Sequence, residues 1–330
     1  RLMAGKKQNP NDLLRVPYPK KIKPMLATLA DKPFNSKEWI FEIKWDGYRV
    51  ISKKRNNSAT LTSRNLTSFN KLFPKIKSSL QTIKGDFVAD GEAVALDQTG
   101  RPNFQQLQNY RKTGKGNIVY YVFDLLWLNG YSTEALPVTE RKELLKELIP
   151  VLDNVIYCEH VVNDGVKLFK AAKKQKIEGI IAKKADSLYY ENARSANWLK
   201  IKTESTIEAV ICGFTEPRGS RMYFGALILG IYNEGKLTYI GHTGTGFNHL
   251  NQKTIFKLLQ NYTAKVSPFT IPPKPNAPVT WMKPVPVCEV KFSHMTNDGV
   301  LRHPVFIRMR DDKKAEEVTM SAQKKKNLSI

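Results

Sequence analysis

Glu42-Ile43-Lys44-Trp45-Asp46-Gly47-Tyr48-Arg49 is the stretch on which the reading of this chain turns. An apolar, strand-like run (Trp39, Ile40, Phe41, Ile43) leads into a lysine, with an aspartate two residues on and a glycine three residues on. A lysine amine attacks only when neutral, and burial beside other cations or a metal favours the neutral form. Asp46 is placed to orient that amine or take its proton. Gly47 allows a sharp turn or a close approach to a phosphate. The same pattern also describes an exposed strand-end lysine before an Asp-Gly turn, so its meaning depends on what the remaining chain supplies.

The 330 residues allow two domains, each with its own core. Apolar residues at 41% and aromatics at 10% suit a folded soluble protein and not a disordered one. The formal charge of +23 favours a polyanionic partner, nucleic acid in the first place. A membrane surface is disfavoured, because no long basic amphipathic helix stands apart from the fold. Cys158, Cys212 and Cys288 are odd in number and far apart, which argues against a disulfide framework or a zinc site. They read as buried thiols in a reducing compartment. The five histidines show no ligand spacing. No stretch approaches the roughly eighteen apolar residues of a membrane span, and no apolar signal region follows the basic Arg1–Lys7. The expectation is a cytoplasmic chain. Its opening on Arg1 gives the further expectation of a processed chain or a module cut from a longer one.

Residues 1 to 20 read as a basic tail or linker. Trp39 to Lys44, Tyr48 to Lys53 and Ala59 to Ser63 read as an antiparallel meander turning at Asp46-Gly47 and Asn56-Asn57. In Phe87 to Leu96, period two puts Glu92 at the centre of a largely apolar face shared with Val88, Asp90, Val94 and Leu96. Val119 to Leu128 is nearly all apolar and predicts a central strand. Thr139 is the expected N-cap of a helix with Leu144, Leu145 and Leu148 inward, and Asn163 that of a second helix. Ile177 to Lys184 and Trp198 to Lys202 predict strands carrying Glu178, and Lys200 with Lys202. From residue 204 to about 320, short strands recur around one helix, which fits a small Greek-key barrel of the oligonucleotide-binding kind. A connection with seven prolines, Pro268 to Pro286, reads as extended chain pinned along the surface. Residues 321–330 read as a second basic tail.

Taken in order, these motifs resemble the covalent nucleotidyltransferases, and within them the ATP-dependent DNA ligases. Lys44-Trp45-Asp46-Gly47-Tyr48-Arg49 looks like the nucleophile motif. Ser63-Arg64-Asn65, Asp90-Gly91-Glu92, Tyr121-Val122-Phe123-Asp124, Glu178-Gly179-Ile180-Ile181 and Leu199-Lys200-Ile201-Lys202 are similar to the motifs that follow it. Met25-Leu26-Ala27, Tyr239 through Phe247 and Trp281 through Lys313 look like the ligase module of the bacterial ligase D family, which repairs double-strand breaks by non-homologous end joining. The resemblance implies an α+β fold: an antiparallel-sheet-rich nucleotidyltransferase (adenylation, ATP-grasp-like) domain over 21–203, then a β-barrel OB-fold domain over 204–320.

The resemblance also implies roles. Lys44, oriented by Asp46, would attack the α-phosphate of ATP and carry AMP covalently. Glu42 would accept from the adenine amino group, with Ile43 beside it, and Phe123 would stack on the ring. Arg49 would reach the ribose or phosphate, Arg194 the phosphates, and Arg64 the 5′-phosphate of the nick. Glu92 would bind the ribose or a metal and Glu178 a metal, Mg²⁺ or Mn²⁺. A carboxylate on a core-facing strand costs several kcal/mol unless paired or metal-bound, which singles out these two. Lys200 and Lys202 would neutralise the α-phosphate. Arg310 and Lys313, in Arg310-Asp311-Asp312-Lys313, would orient pyrophosphate. Arg218 and Arg221 would contact DNA.

The partners implied are duplex DNA with nicks or ends and, fused or separate, a polymerase, a phosphoesterase and a Ku-like end-binding protein. The protein itself is expected to be a monomer in the bacterial cytosol or nucleoid. NAD⁺ is disfavoured as donor, since only 43 residues precede Lys44 and three cysteines cannot form the four-cysteine zinc site of that class. A capping guanylyltransferase, an RNA ligase or a catalytically silent DNA-binding clamp are the other readings. The chain departs from the family pattern at Asn65-Leu66, where glycine is usual after the asparagine, and at Tyr190-Glu191-Asn192-Ala193, where a glycine-containing turn is common.

Overall fold

In the computed structural model, which describes residues 15–219 and 222–323 and the backbone of 325–326, the chain forms two compact units dividing between Thr203 and Glu204. Most of the basic leader, Lys324 and residues 327–330 lie outside the described residues. From Arg15 the chain is held: Val16 N–H donates to Gly130 O at 2.9 Å, and Tyr18 meets Trp127 edge-on at 5.1 Å.

Two sheets build the first unit. One runs Ser58–Ser63, Tyr48–Arg55, Phe87–Leu96, Asn117–Leu128 and Tyr131–Ser132, with Val155–Tyr157 joining Asn117–Leu128 in parallel. The other runs Leu26–Ala30, Arg194–Lys202, Gly179–Lys184, Trp39–Lys44 and His160–Val162. The lysine strand and its successor thus belong to different sheets, which corrects the expected meander. Trp39–Lys44 pairs with Gly179–Lys184, and Tyr48–Arg55 with Phe87–Leu96. The link at Asp46-Gly47 is a crossing between sheets. Gly47 is needed there for closeness, since a Cβ would run into the carbonyl of Ala93.

Alternation then decides what faces what. Phe41, Ile180, Ala182, Leu199 and Ile201 pack with Ala172 of the helix Gly165–Lys174. Period two sends Glu42, Lys44, Lys183, Trp198, Lys200 and Lys202 to the other face. On the first sheet Ala89, Ala93, Tyr120 and Val122 pack with Ile76 and Leu80 of Pro74–Thr82 and with Phe104 and Leu107 of Phe104–Thr113. Ile51, Val88 and Phe123 join Trp198 and Tyr189 in a cluster between the sheets. The register shifts at Val88/Ala89 and Asp90/Gly91 leave Leu126 and Phe123 as extra residues on Asn117–Leu128, so the bulges bend that strand while alternation holds along Phe87–Leu96. The gap between the two sheets therefore receives the charged faces of both.

The helix Val138–Leu148 starts one residue before Thr139, whose hydroxyl donates to Ala185 O instead of capping. Its buried positions include Arg141 and Lys142, both 0% exposed. The second helix begins at Gly165 after Asp164, with Asn163 left-handed at φ 66°. The reading of Asn163 as its cap is thereby corrected as well.

In the second unit Thr206–Thr215 is the pivot. Its first half pairs with Val287–Lys291, its last residues with Val279–Met282, and its other edge with Leu227–Asn233. Lys236–Thr243 and Val305–Met309 extend the sheet. The helix His249–Leu259 is fixed by a reciprocal cap between Asn248 and Asn251. Val279–Met282 lies inside the proline-rich connection and so ties it to the sheet. Among the described residues no sheet closes on itself. The architecture is α+β in two parts.

Candidate active site

Lys44 ends its strand opposite Gly179, which brings its ammonium onto Glu178, the residue just before the neighbouring strand. Glu178 also faces Lys202 Nζ at 3.7 Å. Lys202 is in register with Gly179, and Lys200 with Ile181. A Cβ at Gly179 would meet the Ile201 carbonyl, so glycine lets the three strands close up around the acid. Lys44, Glu178 and Lys202 are each largely covered, at 20%, 16% and 11% side-chain exposure. An ammonium–carboxylate pair of this kind offers the amine's proton an acceptor within reach.

On the facing sheet Arg49, Glu92 and Tyr121 lie in register across three strands. Arg49 is held by Asp90 through two bonds of 2.6 Å, and Tyr189 O–H donates to the same carboxylate at 2.6 Å. The Arg49 guanidinium lies 4.6 Å from the Phe123 ring centroid, and Lys183 Nζ lies 4.7 Å from it. Phe123 is 9% exposed. Trp45, next to Lys44, stacks on Tyr121 at 3.6 Å between centroids and 5° between planes. Its indole N–H donates to Cys158 Sγ at 3.4 Å.

Glu42 is buried between two lysines, with Lys142 Nζ 2.5 Å from Oε1 and Lys183 Nζ 2.9 Å from Oε2. Burial alone would raise its pKa, but the two ammonium groups prevail and hold it below the ordinary carboxylate value. Burial lowers the Lys183 pKa, an effect Glu42 only partly offsets. Asp124, at 0% exposure, is clasped by Arg141 at 2.6 and 3.0 Å.

Other residues singled out in the sequence lie further out. Arg64 sits in the turn after Ser58–Ser63, where Ser63 Oγ accepts from the Asn65 and Thr67 amides. Leu66 takes the left-handed conformation there, φ 63°, at the position where the resemblance led to the expectation of glycine, and Asn192 does the same at 55° in the other departing turn. Both loops keep the shape that a glycine would give them. Arg194 donates to Ala27 O at 2.6 Å. Asp46 lies in the link between sheets. In the second unit Arg310 is gripped by Asp312 at 2.8 Å and Glu208 at 3.0 Å, and Lys313 meets Glu208 at 3.2 Å. Arg218 donates to Asn276 O, and Arg221 lies outside the described residues.

The first unit therefore gathers Lys44, Glu178 and Lys202, with Lys200 on the same face, opposite Arg49, Glu92 and Phe123. The sequence reading missed Lys142, Lys183, Asp90 and Tyr189. Lys183 was legible by period two from Lys200 and Lys202 on the partner strand. Lys142 gave no signal, since a lysine on a helix is usually solvated.

The comparisons with known proteins fit this geometry. The ATP dependent DNA ligase domain matches residues 24–202, and the ATP dependent DNA ligase C terminal region matches 220–313. The multifunctional non-homologous end joining protein LigD of Pseudomonas aeruginosa is 36% identical over 315 residues, covering 92% of this chain and 37% of that protein. The chain thus spans well under half of this LigD relative. The SPbeta prophage-derived DNA ligase-like protein LigB of Bacillus subtilis is 30% identical and is covered over 97% of its length, with 86% of this chain. A solved mycobacterial DNA ligase D complexed with ATP and MES shares 32% identity at a TM-score of 0.66, with 90% of this chain and 98% of that one covered. Fold and matches define a covalent nucleotidyltransferase. Within that class the chain belongs to the ATP-dependent DNA ligase family, homologous to the ligase part of bacterial LigD. Among the described residues no helix is long and apolar enough to cross a membrane.

Proposed function

We propose that Lys44 attacks the α-phosphate of ATP, expels pyrophosphate and becomes a lysyl-AMP phosphoramidate. The observation that carries this is the Lys44–Glu178–Lys202 cluster on one sheet, facing Arg49 and Glu92 on the other. Lys44 must lose its proton to attack, and Glu178 is the carboxylate in contact with it. Asp46 orients the amine. Lys200 and Lys202 counter charge that builds on the α-phosphate, in a covered site where such charges act strongly. Glu42 accepts from the adenine 6-amino group, with Ile43 beside it, and Phe123 lies against the ring. Arg49, fixed by Asp90, meets ribose or phosphate, and Arg194 the phosphates.

Among the described residues no group of three or more His, Cys, Asp or Glu stands ready for a metal. Mg²⁺ needs no such group, because it commonly binds through one or two carboxylates plus substrate phosphates. Glu92 and Glu178 would hold it, or Mn²⁺, and it would supply positive charge at the reacting phosphate.

AMP then passes to a DNA 5′-phosphate, met by Arg64, and the 3′-hydroxyl attacks that phosphate and releases AMP. Residues 21–203 form the adenylation domain and 204–320 an OB-fold barrel, flanked by basic tails. From the barrel Arg310 and Lys313 orient pyrophosphate, while Arg218 and Arg221 hold duplex phosphates. The similarity to LigD supports a role in end joining, with a polymerase, a phosphoesterase and a Ku-like protein as fused or separate partners.

The test is sealing of a nicked DNA duplex carrying a 5′-phosphate, with ATP and Mg²⁺, against nicked RNA. Sealed DNA, falling as salt rises, supports the proposal. Sealing of RNA alone, or adduct formation without sealing, would overturn it in favour of an RNA ligase or a capping enzyme. No adduct at all would leave only a binding clamp.

A further inference from the structure

Glu42 has two cationic neighbours of different origin. Lys183 comes from the adjacent strand and also donates to Phe123 O at 3.2 Å. Lys142 comes from the helix Val138–Leu148, outside both sheets. It is 0% exposed and its other partner is Cys158 O at 2.8 Å. Cys158 in turn donates its amide to Val122 O at 2.8 Å, next to Phe123. Lys142 thus bridges the strand of Glu42 and the segment that flanks the Phe123 strand. Glu42 Oε1 has no aligned donor among the described residues, although Lys142 Nζ lies 2.5 Å away. The lysine supplies charge to that oxygen at contact distance.

The geometry points to Lys142 as a positioning residue that keeps Glu42 a charged acceptor and thereby selects a 6-amino purine nucleotide. This rests on the reading of Glu42 as the adenine contact. An ionised carboxylate only accepts hydrogen bonds, whereas a protonated one also donates. The charged form rewards the 6-amino group of adenine and rejects the 6-oxo group of guanine. The protonated form would tolerate both. Lys183 alone is a weaker guarantee, because it lies farther from its Glu42 oxygen, 2.9 Å against 2.5 Å for Lys142, and burial favours its neutral form. The second cation, from an element that carries no recognised ligase motif, makes the charge on Glu42 secure.

The test is Lys44 adenylylation under single turnover with ATP, GTP and purine riboside 5′-triphosphate, which lacks the 6-amino group. In wild type, ATP outpaces purine riboside triphosphate by about tenfold to a hundredfold, the range of a hydrogen bond to a charged group. In Lys142→Met that ratio falls toward one and GTP gains relative to ATP. Lys142→Arg keeps the charge and restores the ratio. In a Glu42→Gln background, Lys142→Met changes the ratio no further. A Lys142→Met protein that loses all nucleotides in equal proportion, with the ratio intact, overturns the inference. So does a Lys142→Arg protein that folds with the ratio collapsed, which decides the matter if Lys142→Met does not fold. Absence of any wild-type adduct at Lys44 from ATP is a separate result, and it would sink the ligase mechanism instead.

Discussion

Lys44 and Glu178 form an ion pair between antiparallel neighbours of one sheet, although 134 residues separate them in the chain. Glu178 meets Lys202 as well, so one carboxylate holds the proposed nucleophile and a second lysine together. Replacing Glu178 by Gln removes the proton acceptor and one of the two carboxylates offered to a metal. Adenylylation should slow by about a hundredfold to a thousandfold, as when one preorganised electrostatic contact is lost. Single-turnover labelling with α-labelled ATP measures it, and a rate within threefold of wild type would remove Glu178 from the mechanism.

Gly47 controls where Lys44 sits. A Cβ there collides with the Ala93 carbonyl in the paired strand of the other sheet. Gly47→Ala should push the link outward and move Lys44 off its attack position. Since misplacement by an ångström costs about a hundredfold, the loss should appear in adenylylation while sealing of a pre-adenylylated nick suffers less. Comparable loss in both steps would mean general damage to the fold.

Much of this frame was legible from sequence. Phe87–Leu96 and Lys236–Thr243 stand where alternation puts them, and Asn117–Leu128 shows its burial on both faces as an apolar run that only Asp124 breaks after Asn117. The crossing at Asp46-Gly47 was not legible. A hairpin turn and a jump between sheets share the same local signal, and only long-range pairing separates them. Lys142 and Arg141 were hidden for another reason. Buried cations are recognised by their partners, here Glu42 and Asp124, and partners distant in sequence leave no periodic mark.

The Arg141–Asp124 pair is fully buried, and its loss should show in stability. Burial would raise the Asp124 pKa, but Arg141 prevails and holds it below the ordinary value. A carboxyl with a depressed folded-state pKa adds stability above its unfolded pKa of about 4, and that stability is lost as pH falls through the folded value. Asp124→Asn should therefore cost about 3–5 kcal/mol at neutral pH, through the stranded Arg141, and should flatten the acid limb. Urea unfolding from pH 3 to 7 measures both.

Glu134 runs the other way. Burial and the neighbouring Glu191 carboxylate push its pKa up to about 7. Its folded-state pKa lies above the unfolded one, so the folded form binds the extra proton. That contribution is complete below about pH 4 and disappears as pH rises through about 7. Wild type should melt at a lower temperature at pH 8 than at pH 6, and Glu134→Gln should narrow the difference. An unchanged difference would show that the Glu134 carboxyl is not raised by its surroundings.

The central claim is that Lys44 carries AMP covalently. Incubation with α-labelled ATP and Mg²⁺, followed by peptide mapping at neutral to alkaline pH, where a phosphoramidate P–N bond survives, tests it most directly. The account predicts label on the peptide containing Lys44, formed from ATP and not from GTP, and absent in Lys44→Ala. Label that persists in Lys44→Ala, or that forms better from GTP, would contradict it.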